Sequence, residues 1–197
     1  MKARIFVEGR ADKKFIQDFI GLLMPGDPDK LDIIAVGGWT NIPKVQPKFE
    51  ENSNDNGSNL VIFDADNHPE RRRQEILNFK DELAIDFELF LLPNNRDRGQ
   101  FETLLCNLIN QDHQVIFNCF ENYQICLEAN PQYHLPNLKS KIYAYLEALL
   151  PNNQKEMIKE AKRDYQNRNH WDLENAYLNP LRRFLESSDY DFYMNDY

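Results

Sequence analysis

The sequence predicts an α/β fold in which a parallel sheet of about four strands is wrapped by helices. In the first half of the chain, short apolar runs rich in β-branched and aromatic residues alternate with helical patterns, as in doubly wound sheets. After residue 100 the strand pattern fades and helical periodicity continues almost to the end. We therefore expect an α/β core over residues 1–100 and an α-helical C-terminal extension over residues 101–197, packed together as one structural unit.

The four expected strands lie near residues 3–8, 31–36, 59–64 and 87–92. They are short, nearly continuous apolar runs, which is typical of strands buried on both faces of a parallel sheet. The first run ends at Glu8, and the third ends at Asp64 and Asp66. Acidic residues therefore follow two of the four strands.

The connections between parallel strands are expected to be helical. Apolar residues at helical spacing predict a first helix near 11–23. Pro43 and Pro47 interrupt the second connection, and the polar run 51–59 is predicted to be a surface loop. Pro69 suits the first turn of a third helix, which would start just after the two aspartates.

The second half of the chain is predicted to be helical throughout. Apolar residues at helical spacing indicate helices that begin at Phe101 and continue near 112–129, 139–150, 154–167 and 172–186. The three cysteines, Cys106, Cys119 and Cys126, lack CxxC spacing and are predicted to be reduced core residues.

The composition is that of a globular protein, since 42% of the 197 residues are hydrophobic and 28% are charged. No apolar run reaches the roughly 18 to 20 residues needed to cross a membrane, and the N-terminus has no secretion-signal pattern. We therefore expect a cytoplasmic protein without membrane contact. The net charge of -9 argues against a dedicated duplex-binding protein, so any nucleic acid should bind through a local site only.

Three acidic residues form the strongest candidate site. Because the carboxyl ends of parallel strands meet at one edge of the sheet, Glu8, Asp64 and Asp66 are expected to lie close together. Neighbouring carboxylates resist joint ionisation, and a divalent cation is the simplest way to keep all three charged. The sequence therefore predicts a site for Mg²⁺ or Mn²⁺ at this edge.

The spacing of the two aspartates constrains how they could hold an ion. Residues two apart in a strand share a face at about 6.6 Å, whereas adjacent oxygens around Mg²⁺ stand about 3 Å apart. Asp66 must therefore leave the strand, and we expect one aspartate to bind the ion directly and the other through water. The alternative is an exposed acidic turn that only caps the following helix.

Two motifs carry a family resemblance. The run Val7-Glu8-Gly9 with Asp12 and Phe15, and the strand end Phe63-Asp64-Ala65-Asp66, resemble the Toprim domain of topoisomerases, bacterial primases, small RNA-maturing nucleases and overcoming-lysogenization-defect (OLD) nucleases. The resemblance covers residues 3–92 and implies a Toprim-like (Rossmann-like) sheet. It further implies that Glu8 acts in acid/base chemistry at the phosphodiester and that Asp64 and Asp66 hold Mg²⁺.

A narrower resemblance covers the whole chain. With Gly37-Gly38-Trp39 after the second strand and Gly99-Gln100-Phe101-Glu102 after the fourth, the sequence is similar to the bacterial Toprim-like family DUF3226, which leaves the activity open. Many topoisomerases and primases carry a third acid in the Asp-x-Asp-x-Glu motif, but His68 stands at that position here. Glu102 could replace this metal ligand from the same edge, or it could be a solvent-facing residue favoured by the helix dipole.

Three cations are weaker candidates for binding a substrate phosphate. Arg96 and Arg98 lie in the loop after the fourth strand, on the predicted ligand edge, and Lys13 lies in the first helix. Each could clamp a phosphate or stabilise charge in the transition state. The alternative for all three is an ordinary surface cation, paired or solvated.

The leading functional hypothesis is a metal-dependent phosphoesterase, a nuclease acting on RNA or DNA, in which bound Mg²⁺ activates water and Glu8 transfers a proton. The alternative is a non-catalytic Toprim-like module that binds a nucleotide, a metal or a protein partner such as an ATPase, as in OLD proteins. The acidic composition favours the alternative. Glu8→Gln separates the two, because it removes turnover only from an enzyme.

Overall fold

The strands form one parallel sheet at the centre of the fold. In the computed structural model, which describes residues 2–24, 26, 31–186 and 192, the strand order is β2-β1-β3-β4. The strands are β1 (Ala3–Val7), β2 (Ile33–Ala35), β3 (Ser58–Asp64) and β4 (Glu88–Leu92). The expected α/β fold with a four-stranded parallel sheet is confirmed, and the observed strands fall within the predicted ranges except for Ser58.

The register of the sheet brings two strand ends to the same level. Val7 of β1 pairs with Ile62 of β3, and Asp64 of β3 pairs with Leu92 of β4. Glu8, the residue after Val7, therefore lies beside the residue that precedes Asp64 on the neighbouring strand. All five residues of β1 are buried, as are the five central residues of β3, which explains the continuous apolar runs in the sequence.

Helices cover both faces of the sheet. The connections contain α1 (Arg10–Leu23), α2 (Gln46–Asn54) and α3 (Pro69–Leu83). Alternate residues of a strand point to opposite faces, so Ile5 and Val7 share a core with α1, while Phe6 packs on the other side. There its ring stacks on Phe49 of α2, with 3.7 Å between ring centroids.

The second half of the chain packs on the face that α1 covers. It contains α4 (Phe101–Asn107), α5 (Gln114–Glu128), α6 (Leu138–Leu149) and α7 (Asn179–Glu186). Buried residues of this half, including Tyr145, Tyr165 and Trp171, belong to the same hydrophobic cluster as Ile5 and Val7. Residues 187–191 and 193–197, at the end of the predicted extension, lie outside the described residues.

Two local predictions were wrong. The run 51–59 is not a loop, because α2 extends to Asn54 and β3 begins at Ser58, where Asn52 and Asn59 form a buried side-chain hydrogen bond. The range 154–167 holds two short 3-10 helices, Asn152–Ile158 and Glu160–Lys162, instead of an α-helix. Their residues are largely exposed, and without a buried apolar face a short helix gains little stability.

Two further differences concern the helical half. The final α-helix begins only at Asn179, because Pro180 suits the first turn of a helix and not its interior. Cys119 and Cys126 are exposed, so they are not core residues, although all three cysteines are free. None of the helices within the described ranges is both long and apolar enough to cross a membrane.

Candidate functional site

Glu8 and Asp64 lie side by side at the carboxyl edge of the sheet, as the sequence predicts. The backbone N–H of Asp64 donates a hydrogen bond to Glu8 Oε2 at 3.1 Å, and the backbone N–H of Trp39 donates to the same carboxylate. Asp64 Oδ1 in turn accepts from the backbone N–H of Phe101 at 2.8 Å. These backbone donors fix the orientation of both carboxylates.

Asp12 is a member of this site that the sequence analysis did not assign. It is the third residue of α1, which begins two residues after Glu8. Asp12 is only 7% exposed. Its Oδ1 atom is buried and has no hydrogen-bond partner among the described residues. The signal in the sequence was its place in the first turn of a helix that starts at the carboxyl edge.

Glu102 reaches the same edge from the helical half. It is the second residue of α4, whose first amide is held by Asp64. Gly99, with φ at +142°, makes the turn before this helix, and a Cβ atom there would lie 2.7 Å from Thr103 Oγ1. Glu102 thus lies where the sequence predicts it, on the ligand edge.

Five carboxylates line one cavity of about 500 Å³, and four of them, Glu8, Asp12, Asp64 and Glu102, lie at the carboxyl edge of the sheet. We call it the acidic cavity. Residues Asn137, Leu138 and Lys139 at the start of α6, together with Glu160, line it from the helical half. The cavity volume falls within the range of small-molecule sites, and its walls come from both halves of the chain.

Burial and mutual repulsion raise the pKa values of these acids. Burial is the largest cause for Asp64, and with the charges of Asp12 and Glu8 it raises that pKa to about 9. Burial, followed by the charges of Glu8 and Glu102, raises the pKa of Asp12 to about 7. Burial also raises the pKa of Glu8, against the hydrogen bond from Asp64 N–H. The group therefore does not ionise completely at neutral pH without a compensating cation.

Asp66 has left the strand, as expected, but its side chain turns away from the acidic cavity. Its φ is +52°, its carbonyl accepts from Gly99 N–H at 2.8 Å, and its carboxylate accepts from the Arg72 guanidinium at 2.6 Å. Arg72 also lies over the Trp39 ring at 4.4 Å. Asp66 lines a separate cavity of about 370 Å³ with Trp39, His68 and Arg72, so its role as a metal ligand remains a prediction.

The acidic cavity fits a hard divalent cation in chemistry, although its side chains do not converge on one point. Within the described part of the chain, no three His, Cys, Asp or Glu side chains form a ready metal-binding group. The Oδ1 atom of Asp12, which has no hydrogen-bond partner among the described residues, is a carboxylate oxygen of the kind that Mg²⁺ prefers as a ligand. It is buried beside further carboxylates.

The predicted phosphate-binding cations do not line the acidic cavity. Arg96 is exposed and pairs with Asp97, with Nε 3.1 Å from Oδ1, and Arg98 is also exposed. Lys13 donates to the carbonyl of Ile33 at 2.7 Å, on the outer side of α1. The cations that do line the cavity are Arg10, which the sequence analysis missed, and Lys139, which pairs with Glu160.

Comparison with known proteins gives one match. A family model described as "Protein of unknown function (DUF3226)" matches residues 2–188, which include both the sheet and the helical half. No curated protein and no solved structure matches the chain.

Proposed function

Since the chain belongs to the DUF3226 family, whose description states no function, we propose that it is a divalent-metal-dependent phosphoesterase of the Toprim type that cleaves RNA or DNA. One observation carries the proposal: the buried, unpartnered Oδ1 of Asp12 stands in a cavity with the carboxylates of Glu8, Asp64 and Glu102. Such a cluster is costly unless protons or a cation compensate its charge.

A divalent cation would compensate the charge of this cluster. The buried Oδ1 of Asp12 accepts no hydrogen bond from the described residues, so it is available as a ligand. Carboxylate oxygens are the usual protein ligands of Mg²⁺ and Mn²⁺. Asp12 and Asp64 would hold the ion directly, with Glu102 beside them.

Glu8 is the proposed acid/base residue. Two backbone N–H groups orient its carboxylate at the cavity wall, and burial raises its pKa above the ordinary value of a glutamate. A bound Mg²⁺ would supply Lewis-acid polarisation of the phosphate and a water of lowered pKa. Glu8 would accept the proton of the attacking water and return a proton to the leaving oxygen.

Lys139 supports the choice of a phosphate substrate. Lys139 lines the cavity from α6, and its ammonium group pairs with Glu160, which also lines the cavity. An ammonium group close to a phosphodiester stabilises the charge that develops on the phosphate oxygens. The acidic cavity thus combines cation ligands on the sheet side with a cationic side chain on the helical side.

A cleavage assay tests this proposal. Purified protein is incubated with end-labelled RNA and DNA, single-stranded and duplex, in the presence of Mg²⁺ or Mn²⁺. We expect metal-dependent fragments from at least one substrate, and we expect EDTA to abolish them. Absence of fragments from every substrate, with either metal, would contradict the nuclease assignment.

A second candidate function is a non-catalytic Toprim-like module that binds a protein partner such as an ATPase. One observation favours it: α5 carries exposed apolar side chains, with Val115 63% and Ile125 62% exposed. Under this alternative, Glu8→Gln leaves partner binding intact, and no nucleic acid is cleaved by the wild type.

A further inference from the structure

A further cavity, which we call the basic groove, lies beside the acidic cavity at the outer edge of the sheet. Its volume is about 560 Å³. One wall is the exposed side of α1, which contributes Arg10, Lys13 and Lys14. The floor is the edge strand β2, with Ile33, Ile34 and Ala35. No part of the proposed chemistry uses this groove.

The groove carries a local excess of positive charge in a chain whose net charge is -9. Lys14 pairs with Asp18, which neutralises one cation. Lys13 donates to the carbonyl of Ile33, and no acidic side chain of the described residues pairs with it. Arg10 is exposed and has no hydrogen-bond or ion-pair partner among the described residues. Two uncompensated cations, one turn apart on α1, therefore face the same groove.

Arg10 connects the two cavities. It is the first residue of α1, and it lines both the basic groove and the acidic cavity. An anionic chain bound in the groove can therefore continue past Arg10 into the acidic cavity, where Asp12 and Asp64 lie. The four carboxylates repel an approaching anion, and cations at the entrance offset that repulsion locally.

The chemistry of the groove selects a class of ligand. Cations stand along the α1 wall, while the floor is apolar, with Ile34 partly exposed and Ala35 exposed. A nucleic-acid strand presents the same alternation, because its phosphates are anionic and its sugars and bases have apolar surfaces. A duplex shields its base faces, so its bases are not available to the apolar floor. The helical half bounds the acidic cavity on the other side through Asn137 and Lys139.

We propose that the basic groove binds the phosphates of a single-stranded nucleic acid and directs one phosphodiester past Arg10 into the acidic cavity. Cleavage of that phosphodiester rests on the proposed function, whereas binding in the groove does not require catalysis. Arg10 and Lys13 contact two neighbouring phosphates, and the apolar floor contacts the sugar and base between them.

Fluorescence anisotropy with a 5′-labelled single-stranded oligonucleotide in EDTA tests the proposal without turnover, with separate RNA and DNA arms. Each lost phosphate contact removes a salt slope of about 0.7, which corresponds to about fivefold in affinity at roughly 0.1 M salt. We expect Arg10→Gln to weaken binding about fivefold. We expect Arg10→Gln with Lys13→Gln to weaken it about 25-fold and to lower the slope by about 1.4.

The matched control is Lys155→Gln with Arg183→Gln, which removes two exposed cations that line neither cavity. It should leave affinity and salt slope within twofold of the wild type. Arg10 has no hydrogen-bond or ion-pair partner among the described residues, so Arg10→Gln should leave the thermal midpoint unchanged. With an unchanged midpoint, a loss of binding is not caused by unfolding. Equal losses in the control pair, unchanged affinity in both groove variants, or no binding by the wild type would each overturn the proposal.

A competition experiment separates nucleic acid from an acidic protein segment. Polyglutamate of matched charge should compete at least tenfold less well than the unlabelled oligonucleotide. Equal competition would overturn the assignment to nucleic acid in favour of an acidic peptide. Binding that depends on Arg10 but is followed by no metal-dependent cleavage would support the groove and contradict the nuclease, so the two proposals fail separately.

Discussion

Asp64→Asn is expected to make the metal-free protein more stable than the wild type at neutral and alkaline pH. The pKa of Asp64 is raised to about 9 by burial and by the charges of Asp12 and Glu8. Folding at pH 7 therefore requires the wild-type carboxyl to take up a proton, whereas an asparagine has none to take up. The amide can keep the bond from Phe101 N–H, because its Oδ1 is also an acceptor.

The sign of the pH dependence follows from linkage. Between the unfolded pKa, near 3.8, and the folded pKa, about 9, the folded wild type binds more protons at Asp64 than the unfolded chain does. Its stability therefore falls as pH rises through this window. We expect Asp64→Asn to be more stable by on the order of 2 kcal/mol at pH 8, or about 4–8 °C in Tm, with the difference vanishing near pH 4.

Thermal unfolding in EDTA between pH 4 and pH 9 measures this difference. Asp66→Asn is the matched control, since Asp66 is exposed and its loss removes only a surface ion pair with Arg72, worth about 0–1 kcal/mol. It should be equal to the wild type or slightly less stable, with no pH-dependent gain. A Tm of Asp64→Asn below that of the wild type at pH 8 would contradict the described electrostatics of the cavity.

Glu8→Gln is expected to lower the turnover number for metal-dependent cleavage about 10³-fold, within the usual range for loss of a general acid/base. Glutamine has nearly the same shape and can still accept hydrogen bonds from the backbone of Asp64 and Trp39. The fold and the metal affinity should therefore be largely retained. Single-turnover cleavage at saturating metal measures the chemical step.

The pH profile distinguishes a chemical role of Glu8 from a structural one. In the wild type, the acidic limb of the kcat/KM profile should report a group titrating above the ordinary pKa of glutamate, and the residual activity of Glu8→Gln should lack that limb. Glu75→Gln, on α3 and outside the acidic cavity, is the control and should retain both rate and profile. Retention of wild-type turnover by Glu8→Gln would remove the acid/base assignment.

The sheet and its acidic edge could be predicted because both depend on local signals. Buried parallel strands are continuous apolar runs, and the residue after such a run lies at the carboxyl edge whatever the rest of the chain does. Glu8 and Asp64 were located in this way. Glu102 could be placed because a helix pattern starts at Phe101, directly after the loop that follows the fourth strand.

The remaining features depend on tertiary contacts that no local pattern records. A first-turn aspartate is common on exposed helices, and only the packing around Asp12 shows that its Oδ1 is buried and has no partner in the described part of the chain. Asp66 turns away from the cavity because Arg72, six residues later on α3, pairs with it. Residues 154–162 of the predicted helix 154–167 are largely exposed, so periodicity alone overestimated this helix.

Thermal unfolding of the wild type and of Asp64→Asn with increasing Mg²⁺ or Mn²⁺, at constant ionic strength, tests whether the acidic cavity binds a divalent cation. Binding to the folded state alone should give a saturable rise in Tm, equivalent to about 2.7 kcal/mol at about 100 times Kd. We expect this rise in the wild type and its loss in Asp64→Asn. No rise in the wild type, with Asp64→Asn still the more stable protein, would mean that the four carboxylates repel one another without binding a metal, and the phosphoesterase assignment would be wrong.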